Sequence, residues 1–350
     1  MPLNAQQLVA GANYQLMSYA QGDPIDQINH DKPFMKWLIE KKKESIFGNG
    51  IFNEKVRIAN DSNYQNYTGD QQVTYNRRDS VRLAPYQHYE AFDGFSLNET
   101  DLANNGINMT DDEDAEMTDA EAIQIVDILR ENYEILKLGF QQSWDLEMHQ
   151  NGSQNALAAP GLDAIVSTTP GTGVVGGLDP AVYTFWQNNA SMGISTGTPG
   201  TLMNQMEIMW RACTLYGGMK PDAIFCGQKF YDAYRIECQA TITRMLIVKE
   251  DKSPDMAGGV EVLYFKNVPV VWDPTMDQLD TILGPITYPW TKRCYFLQSK
   301  SLKLRNVKGR WMVRRKPPRM YDRFTHYFGV TCDYALCANK RNSMAVMSIQ

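Results

Sequence analysis

Gly171, Gly173 and Gly176 stand in the spacing G-x-G-x-x-G. In a dinucleotide-binding fold such glycines let a backbone turn approach a pyrophosphate at a helix N-terminus. The apolar run Leu162–Val166 ahead of them reads as a strand. The remaining parts of that site are missing. Pro170 and Gly177 interrupt the strand–turn–helix continuity, no amphipathic helix follows directly, and residues 190–200 hold no acid to meet a ribose hydroxyl. The glycines therefore read as a flexible loop, with a dinucleotide-binding oxidoreductase as the alternative they would otherwise carry. No cofactor is expected.

Other chemistry-bearing residues are dispersed. His30, His88, His149 and His326 are widely separated and read as surface or structural residues. The acidic run Asp111–Glu116 lacks the alternating ligands and the glycine of a calcium loop, and reads as a solvated helix cap. Cys213, Cys226, Cys238, Cys294, Cys332 and Cys337 show no C-x-x-C spacing and read as reduced core thiols. Cys332 and Cys337 would point to opposite faces of a strand, which counts against a shared metal. There is no P-loop, nucleophile elbow or zincin motif. No catalytic residue and no metal site can be nominated, and the chain is expected not to be an enzyme.

The chain has 350 residues, 43% hydrophobic and 21% charged, with a formal net charge of −6. Its length exceeds the roughly 250–300 residues at which one core stops growing, so two lobes or one lobe with long extensions are expected. The composition is that of a globular chain. The charge gives no sign of a surface devoted to nucleic acid. The opening residues lack a basic stretch followed by an apolar one, so no secretory signal is expected. No apolar run approaches the ~18 residues of a bilayer span.

The elements that would position any site read as follows. Residues 1–50 form an arm with a short helix at Pro33–Lys43. Residues 51–96 alternate polar and apolar positions, with strand-like pieces at Val56–Ile58, Val73–Tyr75 and Val81–Leu83 around the polar stretch Asn60–Asp70. This is an extended hairpin with too little apolar surface for a core of its own, so it is expected to lean on something, with another subunit as the candidate. Thr118 and Glu121 make a capping box that opens a long helix over 118–148. Ala122, Val126, Leu129, Tyr133, Leu136, Phe140 and Trp144 form its core-facing stripe. Helices at about 201–216 and 228–239, with strands at Pro221–Phe225, Val260–Phe265 and Val268–Trp272, make residues 161–299 an α/β lobe. The end is β-rich: Leu302–Leu304, Gly309–Arg314 and Arg323–Asn339 flank a proline-containing tip. Three basic stretches, Lys41–Lys43, Arg77-Arg78 and Arg314–Lys316 with Arg319, suit either charged tips that meet acidic patches on neighbours or a solvated face.

Three blocks carry a family resemblance. The first is Gly161-Leu162, then Gly176-Gly177-Leu178-Asp179, with Tyr183 and Trp186-Gln187-Asn188. The second is Asn267-Val268-Pro269-Val270 with Asp273, and the third is Cys337-Ala338-Asn339-Lys340-Arg341. Together, in this order and spacing, they resemble the major capsid proteins of tailed bacteriophages with the Hong Kong 97 fold. Pro180 and Gln187 stand where that group usually has arginines.

The resemblance implies an α+β fold with an N-terminal arm (1–50), an extended β-hairpin loop (51–96), and a peripheral domain (97–160 and 300–340) with a spine helix. An axial α/β domain (161–299 and 341–350) completes it. It implies self-assembly into hexamers and pentamers of an icosahedral head enclosing DNA without sequence-specific binding. Such a protein would be made in a bacterial cytoplasm and end in the virion. Scaffolding and portal proteins would be partners, a decoration protein a further one, with scaffold expected as a separate chain. Contacts between subunits are expected from Tyr75, Arg77, Arg78 and Arg82 on the extended loop and from Lys316, Pro317, Pro318 and Arg319 on the peripheral tip. The residues carrying the resemblance itself are Gly176, Gly177, Asp179, Trp186, Asn188, Cys337, Asn339 and Arg341. Some members crosslink their shells through a lysine of the extended loop. Here no lysine occurs between Lys55 and Lys137, so no such crosslink is expected. The alternative is an encapsulin-like compartment shell of the same fold, which would hold protein cargo in place of DNA.

Overall fold

A computed structural model describes residues 29–45, 50–104, 119–241, 263–317 and 324–350. Most of the arm, the acidic run Asp111–Glu116, Thr118 of the capping box, and Pro318 and Arg319 lie outside the described residues. The chain divides into two compact units, one of residues 1–30, 90–144 and 309–332, the other of residues 31–89, 145–308 and 333–350.

The larger unit is built on a six-stranded mixed sheet. Its strands are β5 (Asn189–Ile194), β6 (Ala223–Cys226), β7 (Leu263–Phe265), β8 (Val268–Trp272), β9 (Arg293–Leu297) and β13 (Ala345–Ile349), in the spatial order β5-β13-β9-β6-β8-β7. The central strands β6, β9 and β13 are buried at every position. Burial on both faces leaves them without polar–apolar alternation, with Arg293 and Ser348 as their buried polar members. Helix α5 (Thr201–Leu215) lays Leu202, Met206, Trp210 and Cys213 on the sheet at spacings of three and four, and α6 (Gln228–Thr241) adds Phe230 and Tyr234. Lys266 and Asn267 both take positive φ between β7 and β8, giving the two-residue turn that matches strand twist. Asp273 caps α7 (Pro274–Leu283), accepting a hydrogen bond from the Thr275 amide at 3.0 Å.

The same unit holds α1 (Pro33–Glu40), β1 (Lys43–Ser45), the hairpin of β2 (Ile51–Arg57) and β3 (Val81–Gln87), and β10 (Leu302–Val307). Strand β1 pairs parallel with β10, and β10 pairs antiparallel with residues 334–338 of the long β12 (Thr325–Ala338). Two expectations need correction. Leu162–Ile165 is a turn of helix, α4, and not a strand. Val73–Tyr75 lies in the irregular connection between β2 and β3, whose register runs from Ile51 opposite Gln87 to Arg57 opposite Val81.

The smaller unit contains β4 (Tyr89–Asn98) from Glu90 on, α2 (Glu99–Asn104), the long helix α3 (Asp119–His149) as far as Trp144, β11 (Val313–Arg315) and β12 as far as Cys332. Leu136, Phe140 and Trp144 of α3 are buried, in the stripe expected from their spacing. Phe95, Tyr133 and Phe328 form an aromatic trio with ring centroids 5.3–6.1 Å apart. No helix among the described residues is long and apolar enough to cross a membrane.

Candidate assembly surfaces

The β2–β3 hairpin is anchored along one face and bare along the other. Phe52, Glu54 and Val56 alternate inward with Ala84 and Tyr86 of the partner strand. They pack on Leu178, Trp186, Val307, Ala335 and Cys337. Glu54 is buried between two cations, with Lys303 Nζ at 3.0 Å from one carboxylate oxygen and Arg305 Nε at 2.8 Å from the other. Burial alone would raise this carboxyl, but the hydrogen bonds from Arg305 and Lys303 outweigh it and hold Glu54 below the usual glutamate value. Tyr86 donates its hydroxyl to the Ala338 carbonyl at 2.9 Å.

Gly176 and Gly177 sit at this root, with φ of +58° and +69°. A Cβ on Gly176 would lie 2.9 Å from the Ala84 Cβ and from the Tyr86 ring. The glycines thus serve close approach of loop to hairpin. The Val175 carbonyl accepts from the Trp186 indole at 3.0 Å, and Asp179 accepts from the Ala181 amide at 2.9 Å. Gln187 donates to the Pro180 carbonyl at 2.8 Å, so the two positions that depart from the family pattern satisfy each other.

Arg341 is fully buried. Its Nε donates to the Ile165 carbonyl at 2.7 Å and its Nη2 to Asn188 Oδ1 at 3.2 Å. Asn188 in turn accepts from the Ser167 amide and donates to the Ser167 carbonyl. Burial pulls the Arg341 guanidinium down to about 10, still charged at neutral pH. Cys337 is a buried free thiol that burial pushes up, and the Asn339 amide donates to the Ser301 carbonyl at 3.1 Å. Six of the eight residues that carried the resemblance (Gly176, Gly177, Trp186, Asn188, Cys337 and Arg341) thus share two adjoining nodes.

The expected contact residues lie elsewhere. The tip, residues 58–80, is exposed almost throughout, with Tyr64, Tyr67 and Tyr75 at 83%, 68% and 95% exposure. Within the tip, backbone bonds join Ile58 to Ser80 and Gln71 to Thr68, and side chains supply others, such as Gln65 Nε2 to Asn63 Oδ1 at 2.8 Å. Arg77, Arg78 and Arg82 are exposed, and Arg82 reaches Asp79 at 3.4 Å. In the smaller unit, exposed Lys316 and Pro317 border a cavity of about 450 Å³ with Phe92, Phe95, Tyr327 and Phe328, and Phe92 itself is 70% exposed. Sequence reading missed this cavity, because its wall joins β4 to β12 across more than two hundred residues.

The sequence matches no family model and no curated protein. Solved structures match along nearly the whole chain. The cyanophage A-1(L) capsid asymmetric unit aligns over 93% of this chain and 94% of its own, at a TM-score of 0.59 and 13% identity. The capsid of cyanophage P-SCSP1u aligns over 94% and 91%, with a TM-score of 0.56 and 8% identity. A structure of Mycobacterium phage Bobi aligns over 94% and 93%, at 0.55 and 8%. The chain has the mixed α+β fold of phage capsid proteins.

Proposed function

We propose that this chain is a major capsid protein, a structural subunit that assembles with its own copies into the icosahedral head of a tailed phage. The observation that carries the reading is the half-anchored hairpin on a capsid fold. A two-stranded hairpin is marginal alone, and this one has a buried inner face yet a tip that, beyond Ile58, stands largely exposed among the described residues. Such an element gains its remaining contacts from a neighbour, and the same contact repeated around a ring closes a symmetric assembly. Many weak contacts then hold the shell multivalently.

In this proposal residues 97–160 and 300–340 form the peripheral domain, and residues 161–299 and 341–350 the axial domain at the centres of hexamers and pentamers. Tyr75, Arg77, Arg78, Arg82, Lys316, Pro317, Pro318 and Arg319 make subunit contacts. Scaffolding, portal and decoration proteins are its partners, double-stranded DNA its contents, and the virion its destination. The chain's role is structural and not enzymatic. Sedimentation of the purified chain, alone and with the doubly charge-reversed Arg77→Glu/Arg78→Glu variant, tests it. Fast-sedimenting particles from the parent and unassembled variant protein are expected. A parent that stays monomeric would sink the proposal, and particles filled with protein cargo would move it to a compartment shell.

A further inference from the structure

Four residues outside those surfaces form a closed, buried ring of hydrogen bonds through side-chain and backbone groups. At the end of α3, His149 places Nδ1 2.8 Å from the Asp145 backbone carbonyl and Nε2 3.2 Å from Asp273 Oδ2. At the start of α7, Thr275 donates its hydroxyl to Asp145 Oδ2 at 2.6 Å and its amide to Asp273 Oδ1. His149, Asp145 and Asp273 are each 0% exposed. No substrate reaches them, so the arrangement is not a catalytic triad.

The geometry fixes the charge state. Both ring nitrogens of His149 face acceptors, a carbonyl and a carboxylate. A neutral imidazole has one N–H and one lone pair, so one of these contacts would set lone pair against lone pair in a water-free site. With Asp273 a carboxylate, only the imidazolium donates to both. Burial pushes the imidazole down, but the charges of Asp145 and Asp273 outweigh it and lift it to about 9. Burial also raises Asp145, whose Oδ1 has no hydrogen-bond donor among the described residues.

Helix α1 is the cover. The Phe34 ring lies 4.6 Å from the His149 ring and 5.6 Å from Phe225, and Trp37 lies 5.9 Å from Phe225. Lys32, at the N-cap of α1 and 7% exposed, acts favourably on the Asp145 charge. The other groups near the ring are Cys226 of β6 and the Asp277 carboxyl of α7, which both feel Asp273, and Trp290, which carries Arg293 on its face; Asp277 is held by the Gln228 amide and the Trp272 indole. With His149 charged, the two cations His149 and Lys32 match the two carboxylates. With His149 neutral, the cluster holds one excess buried negative charge, and water must enter.

We propose that α1 is a proton-linked strap, which docks over the Asp145–His149–Asp273 cluster while His149 is an imidazolium and releases when that proton leaves to solvent. The sign follows from linkage. A group whose folded value is raised contributes stability that is complete below its unfolded value, near 6.5, and is lost as pH rises through about 9. The inference is independent of the capsid reading.

The test is NMR of the unassembled full chain between pH 6 and 10, with imidazole nitrogens and leucine methyls labelled and His149 assigned by His149→Gln. At pH 7 the ring of His149 is expected to be doubly protonated. On titration near pH 9, the Leu38 methyls of α1 leave their buried position with the same midpoint, and the docked population falls at least tenfold. The methyls of Leu202 on α5 stay in place. Asp273→Asn is expected to move both midpoints together toward acid; should it fail to fold, the parent titration decides alone. A neutral ring at pH 7, or Leu38 staying docked through the deprotonation, overturns the proposal. So does an Asp273→Asn variant in which the ring midpoint moves and the α1 midpoint does not.

Discussion

The six-stranded sheet and the β2–β3 hairpin use similar residues in opposite ways. Strands β6, β9 and β13 are covered on both faces, and every large side chain on them meets another from the same chain. The hairpin is covered on one face, while Ile51, Val81 and Leu83 on the other are 40–55% exposed and the tyrosines of its tip more so. The first region holds the subunit together. The second carries apolar and charged surface that the subunit alone does not use. Stability and assembly should therefore respond to substitution in inverse order along this path.

The largest loss of stability belongs to the sheet. Phe296 of β9, fully buried against Trp210 and Phe265, leaves a cavity on Phe296→Ala, and about 3–5 kcal/mol should be lost in denaturant unfolding. The hairpin root comes next. Glu54→Gln leaves Lys303 and Arg305 facing a neutral amide, and roughly 3 kcal/mol is expected, the low end for a broken buried pair because Arg305 is partly open to solvent. The parent should lose the same contribution in acid. Because the Glu54 carboxyl is held below its ordinary value, its stabilisation is complete above that value and disappears as pH falls through the lowered one. Hydrogen exchange in residues 51–57 and 81–87 reads both effects, and equal protection in Glu54→Gln would show that the ion pair does not hold the root.

Gly176→Ala should cost about 1–3 kcal/mol, since its φ of +58° disfavours any Cβ and the added atom meets Ala84 and Tyr86 at 2.9 Å. Its melting temperature should drop while the isolated sheet keeps its exchange protection. The smallest effect on stability is at the tip. Tyr75→Ala should change unfolding by no more than about 0.5 kcal/mol, as a side chain 95% exposed touches little. Light scattering should nevertheless show assembly slowed or abolished. A tip variant that melts early, or one that assembles like the parent, would erase the contrast between the regions.

Legibility in the sequence follows the same division. The long helix, α5, α6 and strands β6 and β8 announce themselves, because a stripe at spacings of three and four or a short apolar run is a local pattern, whereas β9 and β13, which carry Arg293 and Ser348, do not. Leu162–Val166 reads as a strand for the same reason, yet four residues are too few for periodicity to tell a strand from a turn of helix, and Leu162–Ile165 is the latter. Val73–Tyr75 has strand-forming residues, but Thr74 bonds to the side chains of Asn63 and Gln65 and the segment forms no strand ladder among the described residues. The glycine spacing of the loop is legible, but what Gly176 approaches, the Ala84–Tyr86 edge, lies ninety residues upstream. Glu54 with Lys303 and Arg305, and Asn188 with Arg341, join residues 150 or more positions apart. Nothing local in either partner names the other.

The central claim, that the exposed half of the hairpin exists for copies of this chain, is tested most directly by electron microscopy of the purified full-length protein. Closed shells of uniform diameter, with rings of six and five and the hairpin tip lying on an adjacent subunit, are the predicted result. Particles that remain single subunits under crowding and with added scaffolding protein, their tips still free, would contradict it.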